Sequence, residues 1–563
     1  MKVVIIGGVA GGATAAARIR RLYEQAEIVV FERSGFISYA NCGLPYYIGG
    51  TIENENDLTL QTPESFWKRF RVKMNVHHEV TAIQPDSKTV TVKNLENNTV
   101  FTESYDKLVL SPGAKPIKPD FDGADSDRIF TLRTVEDTLN IKKYTDERHP
   151  KSAVVVGGGF IGIETAENLH DLGIDVTLVE AAEQLMAPFD RDMASFIHAE
   201  IRKNGINLML DTMVDGFADT ECGIDVNLKN TSTLHTDMVI MAIGVAPETT
   251  LAKNAGLELG IKGSIVVNDR METSVPDIYA VGDAVQIKNF VTDSYSLISL
   301  AGPANKQGRI AADNICGGDS HYTGGQGSSV IKIFDMTAAS TGINERTAKS
   351  LGITTDKVIL SPMSHAGYYP GGKIMTMKVV FEKETYRLLG AQIVGFDGVD
   401  KRIDVLATAI RAGMKAYNLA ELDLAYAPPY SSAKDPVNMA GYIIENIKNG
   451  VVKQWYYEED ETLPRDGSIT LLDARTPMEY SRGHAEGFIN IPVDELRERM
   501  NELDKDKPVY VICQSGLRSY IASRILMGNG FDAYNFAGGF RFYDAVRNDK
   551  ALNKKSTPCG MDD

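Results

Sequence analysis

Two cysteines in this chain sit where sulfur chemistry can be done. Cys42 lies in the stretch Ser38-Tyr-Ala-Asn-Cys-Gly-Leu-Pro-Tyr-Tyr, ten residues beyond Glu32. An internal redox disulfide needs a second sulfur within a few ångströms, commonly close in sequence, and the next cysteine is Cys222. Cys42 is therefore expected to pair with a thiol from outside the chain. A helix start expected at Gly43 would place N–H groups and a helix dipole beside it, which favours a thiolate. The alternative is a small buried thiol filling a core. The second is Cys513, first residue of Cys513-Gln-Ser-Gly-Leu-Arg518, between an expected strand Val509–Ile512 and an expected helix Ser519–Met527. N–H groups curled toward the sulfur, with the charge of Arg518, lower a thiol pKa and can hold a persulfide. Cys222 and Cys316 are read as structural. Cys559, near the C-terminus, is read as an inert mobile thiol, with sulfur relay as the other possibility.

The elements that must position these thiols repeat. Strand Lys2–Ile6 leads into Gly7, Gly8, Val9, Ala10, Gly11 and Gly12, then an expected helix Ala13–Leu22 and strand Glu27–Glu32. Strand Ala153–Val156 leads likewise into Gly157, Gly158, Gly159, Phe160, Ile161 and Gly162, then helix Ile163–Leu172 and strand Asp175–Glu180. Glu32 and Glu180 follow the last glycine of each turn by 20 and 18 residues. Glycines let the backbone approach a pyrophosphate at a helix N-terminus, and the carboxylate accepts from a ribose hydroxyl. The first copy is a variant, with Val9 where the middle glycine usually stands. Leu108–Ala114 and Val239–Ala246 form a second repeated pair of apolar strands, each with a glycine near its end, and Asp277–Asp283 closes the set.

Composition narrows the function classes. The 563 residues are 43% hydrophobic and 24% charged, ordinary for several folded domains. A net charge of −16 argues against nucleic acid and anionic membranes as partners. Five scattered cysteines suit a reducing compartment, and the N-terminal apolar run is too short for a signal peptide, so a cytoplasmic protein is expected. No metal site is expected, because the nine histidines form no ligand spacing with cysteines, and adjacent His77 and His78 would face opposite ways in a strand.

The glycine turns, paired strands and Asp283 together resemble the two-dinucleotide-domain flavoproteins of the glutathione-reductase-like superfamily. The resemblance implies FAD on the first unit, with Arg33, Asn41 and Gly113 among its contacts and Asp283 on the ribityl chain. It implies a nicotinamide on the second unit. Glu180, followed by Ala181 and Ala182 rather than arginine, favours NADH over NADPH. The Cys42 stretch resembles the coenzyme A disulfide reductases and the related CoA-persulfide or polysulfide reductases. His365-Ala-Gly-Tyr368-Tyr369-Pro-Gly-Gly and Ala425-Tyr426-Ala-Pro-Pro-Tyr430 support that match, which spans residues 1–447. It implies a homodimer in which Tyr368 and Tyr426 flank the partner's reacting sulfur, with aromatic packing at the interface as the alternative role. For CoA it implies Thr14, Ser38 and Asn41 on the pantetheine arm. Arg18, Arg21, Lys68, Arg69 and Arg71 are the cations available to its phosphates. Residues 464–550 resemble a rhodanese domain.

The expected fold is thus α/β: two Rossmann-like dinucleotide-binding domains, an α+β dimerisation domain and a C-terminal rhodanese domain. The expected boundaries are 1–112 with 249–325 for FAD and 113–248 for NAD. They continue with 326–447 for dimerisation, 448–463 as linker, 464–552 for the rhodanese domain and 553–563 as a flexible tail. The fusion points to an FAD-dependent NAD(P)H reductase of CoA persulfide, polysulfide and CoA disulfide, with the rhodanese domain delivering or accepting sulfane sulfur. Two alternatives stand: an NADH oxidase cycling a single sulfenate, though Gly11–Leu22 holds no histidine, and a persulfide carrier or redox sensor. Open at this point are the preferred acceptor and whether sulfur passes from Cys513 to Cys42 directly or on CoA. Glu164 is placed near the flavin or in a packing role.

Overall fold

A computed structural model describes residues 1–229 and 233–556, so Cys559 lies outside the described residues. The chain divides into two compact units, residues 1–182 with 206–327, and residues 183–205 with 328–563.

The first unit holds two parallel sheets. The elements that build them and flank the site are, in chain order, β1 (Lys2–Ile6), α1 (Ala10–Leu22), β2 (Glu27–Phe31), α2 (Leu44–Ile48), α3 (Pro63–Phe70), β3 (Lys73–Asn75), β4 (Lys107–Leu110), β5 (Ile129–Thr131), β6 (Ser152–Val156), α4 (Phe160–Asp171) and β7 (Asp175–Val179). After α5 (Arg191–Lys203), which belongs to the second unit, come β8 (Asn207–Met209), β9 (Met238–Met241), β10 (Ile278–Ala280) and α6 (Ala301–Ile315). The first sheet runs β10-β4-β1-β2-β3 and the second β8-β7-β6-β9-β5. The chain leaves the first sheet after β4, builds the second, and returns at β10. Central strands buried on both faces need unbroken apolar runs, which is why β1 and β6 read as they do. Val3, Val4 and Ile5 are fully buried, each worth about 1.5–3 kcal/mol of transfer free energy.

Both nucleotide-turn helices start three residues earlier than expected, at Ala10 and Phe160. The later glycines of each turn are already helical, because the helix packs onto the turn. A Cβ on Gly12 would lie 1.9 Å from the Gly7 carbonyl oxygen, and one on Gly162 equally close to that of Gly157.

The second unit holds an antiparallel sheet of β11 (Ser329–Ile333), β12 (Met336–Gly342), β13 (Thr355–Leu360), β14 (Met375–Glu382) and β15 (Leu388–Gly395), in the order β11-β12-β15-β14-β13. Helix α7 (Pro436–Lys448) then leads to β16 (Gln454–Trp455), β17 (Thr470–Asp473), β18 (Ile489–Asn490), β19 (Val509–Ile512), α8 (Leu517–Gly528), β20 (Ala533–Phe536) and α9 (Gly539–Ser556). The parallel order is β16-β20-β19-β17-β18. The segment expected as a linker therefore supplies an edge strand of the rhodanese sheet. Trp455 is fully buried, its ring 4.5 Å from that of Phe536. Two strand residues between charged runs carry no periodicity from which to see this. The tail expected from residue 553 begins, likewise, inside a helix that continues to Ser556.

Buried charge stitches this unit. Lys378 is 1% exposed and meets Asp190 at 3.0 Å, Asp192 at 2.8 Å and Glu345. Lys357 bridges Glu345 at 3.1 Å and Glu458 at 2.9 Å. Asp192, Glu345 and Glu458 lie close enough to share a metal ion, and these two ammonium groups supply the positive charge instead. At α9, Asp549 pairs with Arg202 at 2.6 Å and with Arg191. His198 accepts from the Leu185 N–H at 3.0 Å, so its other nitrogen donates to Asp549 at 2.9 Å.

Burial holds the His198 pKa below its ordinary value, and Asp549 is lowered by His198 and the arginines against the opposing effect of burial. A folded histidine that resists protonation contributes stability that is lost as pH falls through its unfolded pKa of about 6.5; the depressed Asp549 adds a loss below about 3.9. Calorimetry is expected to show a midpoint that falls below pH ~6.5, with His198→Gln flattening that limb. Asp549→Asn is expected to destabilise the protein at neutral pH, with a lower calorimetric midpoint, by leaving partly buried arginine charge without its carboxylate.

Candidate active site

The two glycine turns share one construction. Gly7 and Gly157 have φ of +98° and +111°, conformations that only glycine adopts without strain. Glu32 accepts from the Gly8 N–H at 2.9 Å and the Ser34 N–H at 3.0 Å; Glu180 accepts from Gly158 at 2.6 Å and Ala182 at 2.7 Å. Neither α1 nor α4 has a side-chain N-cap or an acidic residue in its first turn. Their leading N–H groups are left for an anion, which fits the pyrophosphate of a dinucleotide. Open space lies beside Gly159, while a Cβ on Gly8 would meet Ile37 at 2.9 Å.

Arg133 ties three expected FAD residues together. It pairs with Asp283 at 2.7 Å and donates to the Ala114 carbonyl at 3.3 Å, beside Gly113. The Asn41 amide donates to the Arg133 carbonyl and accepts from its Nη1, both at 2.9 Å. Sequence reasoning missed Arg133, which follows a three-residue strand and belongs to no motif. Arg33, by contrast, is exposed and makes no side-chain hydrogen bond or ion pair among the described residues.

Cys42 is exposed, free, and set in a short 3₁₀ turn, Asn41–Gly43, that runs into α2. The expected depression of its pKa is not what the surroundings produce. Burial, then the carboxylate of Glu164, push the thiol up; Arg133 opposes them and Asp283 adds to the rise. Helix α2 is only five residues long. Ser38, at φ +46°, accepts from Leu60, and Ala40 donates to Leu58, so the loop leads directly to α3.

Among the expected CoA contacts, Thr14 donates to Asn305 at 2.5 Å, and Arg18 is already paired with Asp313 at 2.7 Å. Arg20 donates to the carbonyls of Phe70 and Arg71, bringing the C-terminal turns of α1 and α3 together. Exposed Arg21, Lys68, Arg69 and Arg71 lie on those turns or just after them. In the second unit Tyr368 and Tyr426 share a hydrogen bond at 2.7 Å while 76% and 46% exposed. Buried His365 packs edge-on to Tyr369 in the same loop.

Cys513 is fully buried, and its sulfur accepts from the Gly516 N–H and the Ser519 hydroxyl, both at 3.2 Å. The following helix starts at Leu517, two residues earlier than expected. Arg518 makes a bidentate pair with Glu479 at 2.7 and 2.6 Å and pulls that carboxyl down to about 2. Its charge beside Cys513 is therefore compensated. Arg475 lies over the Phe540 ring at 3.9 Å and donates to Gln514 of the loop at 3.3 Å. A Cβ on Gly539 would come within 2.5 Å of the Ser515 nitrogen. Cys222, read as structural, is exposed on a hairpin, its sulfur 3.8 Å from His235, whose other nitrogen meets Asp225 at 2.8 Å. Cys316 packs against the core of the first unit.

Comparison with known proteins agrees with this arrangement. Residues 1–308 match the pyridine nucleotide-disulphide oxidoreductase family, residues 328–436 its dimerisation domain, and residues 457–545 the rhodanese-like domain. Coenzyme A disulfide reductase of Staphylococcus aureus is 37% identical over 442 residues, 78% of this chain and 99% of that protein. The reduced Bacillus anthracis protein CoADR-RHD superposes with a TM-score of 0.95 at 49% identity, covering 97% of this chain and 98% of that one. A NAD-dependent persulfide reductase from A. fulgidus gives 0.91 at 37% identity, covering 96% and 100%. Two uncapped nucleotide turns, a lone thiol and a sulfur-cradling loop in one chain, with these matches, establish that the protein belongs to the pyridine nucleotide-disulphide oxidoreductase family, in its coenzyme A disulfide reductase branch with a rhodanese-like domain.

Proposed function

We propose that this chain is an NADH-dependent reductase of coenzyme A persulfide, polysulfide and CoA disulfide, working as a cytoplasmic homodimer. The observation that carries the reading is Cys42: an exposed thiol without a disulfide partner, in the unit that holds two dinucleotide turns. FAD is held by the turn Gly7–Gly12 with Glu32, Arg33, Asn41, Gly113 and Asp283. The nicotinamide dinucleotide is held by Gly157, Gly159, Phe160, Ile161, Gly162 and Glu180. When bound, they supply the electron pair that cleaves a disulfide.

The Cys42 thiolate attacks a persulfide or disulfide sulfur and expels hydrosulfide or a thiolate, leaving Cys42–S–S–R. Two electrons return Cys42 as thiolate and release the second thiol. The hydroxyl pair of Tyr368 and Tyr426, brought by the partner subunit, donates to the departing sulfur. Thr14, Ser38 and Asn41 line the pantetheine arm, and Arg21, Lys68, Arg69 and Arg71 offer charge to the phosphates. Arg18, committed to Asp313, orients α1 against α6 rather than meeting phosphate. Cys513 carries sulfane sulfur as persulfide, sheltered by its loop and by the Ser519 hydroxyl.

Anaerobic NADH oxidation with each acceptor tests this. Cys42→Ser is expected to abolish turnover with all three, and Cys513→Ser to slow only persulfide and polysulfide. Oxidation that needs oxygen would instead make the protein an oxidase. Slow turnover with every small acceptor but rapid transfer to a protein thiol would make it a carrier. Glu180 next to Ala181 and Ala182 repels a 2′-phosphate, so Glu180→Arg is expected to raise the KM for NADH about tenfold and lower that for NADPH, read from steady-state kinetics.

A further inference from the structure

Cys222 stands outside the chemistry above, yet among the described cysteines it alone has an imidazole beside its sulfur. It lies in the turn that joins strand Val214–Asp219 to strand Ile224–Leu228, and the next strand is Thr233–Thr236. Antiparallel pairing sets Asp225 opposite His235 and Ile224 opposite Thr236. Directly opposed side chains come within about 4.5–5.5 Å at Cβ, so the carboxylate and the ring meet on one face. Gly223 lets the turn close against that ring. A Cβ there would lie 2.9 Å from His235 Nε2 and 2.5 Å from the Thr236 carbonyl oxygen. A side chain at this position would displace the ring or the neighbouring strand.

Hydrogen bonding sets the role of each of these three groups. The Asp225 carboxylate can only accept, so His235 Nδ1, 2.8 Å away, carries the proton. Nε2 then turns a lone pair toward the Cys222 thiol at 3.8 Å, within reach of a large sulfur atom. A nucleophile, a base in contact with it and a third group orienting the base make an activated thiol. Cys222 also lines an open cleft of about 640 Å³, the size of a small-molecule site. Thr220 belongs to the same wall. Its hydroxyl, shielded from solvent, lacks the partner among the described residues that a buried polar group ordinarily has. The cleft mixes signs, with Arg128, Arg148 and Lys151 against Asp127, Asp219 and Asp237. A ligand carrying both an ammonium and a carboxylate matches such a lining better than an ion of one sign.

We propose that Cys222 is a second reactive thiol of the chain, with His235 as its base, and that it takes one half of a small zwitterionic disulfide held in this cleft. The Cys222 S–H proton passes to His235 Nε2 as the sulfur attacks one sulfur of R–S–S–R. A Cys222–S–S–R bond forms, the S–S bond of the incoming disulfide breaks, and its electron pair leaves on RS⁻. The imidazolium, steadied by Asp225, gives the proton to RS⁻, so the products are the mixed disulfide and RSH. Cys222 is oxidised and the departing thiol reduced, with no further oxidant. Cys42, FAD and NADH take no part, so the proposal stands apart from the reductase reading. Asp225 is a positioning residue, acting through the imidazole.

The test follows mixed-disulfide formation on the Cys222 peptide by mass spectrometry, in FAD-loaded protein kept anaerobic and without NADH. Cystine is compared with cystamine, a dication, and dithiodiglycolate, a dianion. Each rate is taken relative to that of the same disulfide with a short cysteine peptide. Cystine is expected to react at least about fivefold faster than either on this scale. An ordinary thiol is only a few per cent ionised at pH ~7 and mostly ionised at pH ~9.5. His235→Gln is therefore expected to slow labelling by cystine about tenfold at pH ~7 and to leave it unchanged at pH ~9.5. Asp225→Asn is expected to fall between that variant and wild type at the lower pH and to match both at the higher. Equal loss at both pH values, or none at either, overturns the proposal, as does a disulfide of single charge sign that matches cystine.

Discussion

Each dinucleotide turn in this protein is braced by its own glutamate. Glu32 and Glu180 each accept from the second glycine of the turn and from the backbone two residues beyond themselves, so strand end and turn become one rigid piece. From that brace everything in the first unit takes its place. It aims the uncapped helix N-terminus, and in the first copy it sets Ser38, which donates to the Gly8 carbonyl and begins the loop to Cys42. In both copies the two carboxylate oxygens are each taken by a backbone N–H, one in the turn and one just past the strand end.

Charge is handled differently in the two units. The first leaves charge thinly matched around Cys42, with a single arginine bound to a single aspartate. The second buries lysine, arginine and histidine among carboxylates, and a buried ion pair gains little over a well-packed apolar pair while costing much if one partner is lost. Such clusters specify an arrangement more than they strengthen it. Here they fix α5 and α9 to each other and the antiparallel sheet to the segment between β16 and β17 of the rhodanese sheet.

What was legible in the sequence follows from the range over which each feature is decided. The glycine turns and the Cys513 loop were legible because a backbone that must pass close to a ligand or sulfur writes its requirement into adjacent residues. Arg133 was not, because its importance comes from Asp283, 150 residues away. Trp455 was hidden for the same reason: a two-residue strand has no pattern of its own, and its burial is supplied by Phe536 and Tyr510. The expected acidic shift of Cys42 failed because it weighed a nearby helix start and could not see the burial around the thiol or, after it, the carboxylate of Glu164. Cys222 looked structural from composition, and only the hairpin register that sets Asp225 opposite His235 shows its surroundings.

The pairing of Asp549 with His198 has a consequence for synthesis. The two residues are 351 positions apart. A ribosome adding about 5–20 residues each second needs roughly 18–70 s to cover that distance. Throughout that interval Arg191, Arg202 and His198 of α5 lack the carboxylate that joins all three in the finished unit.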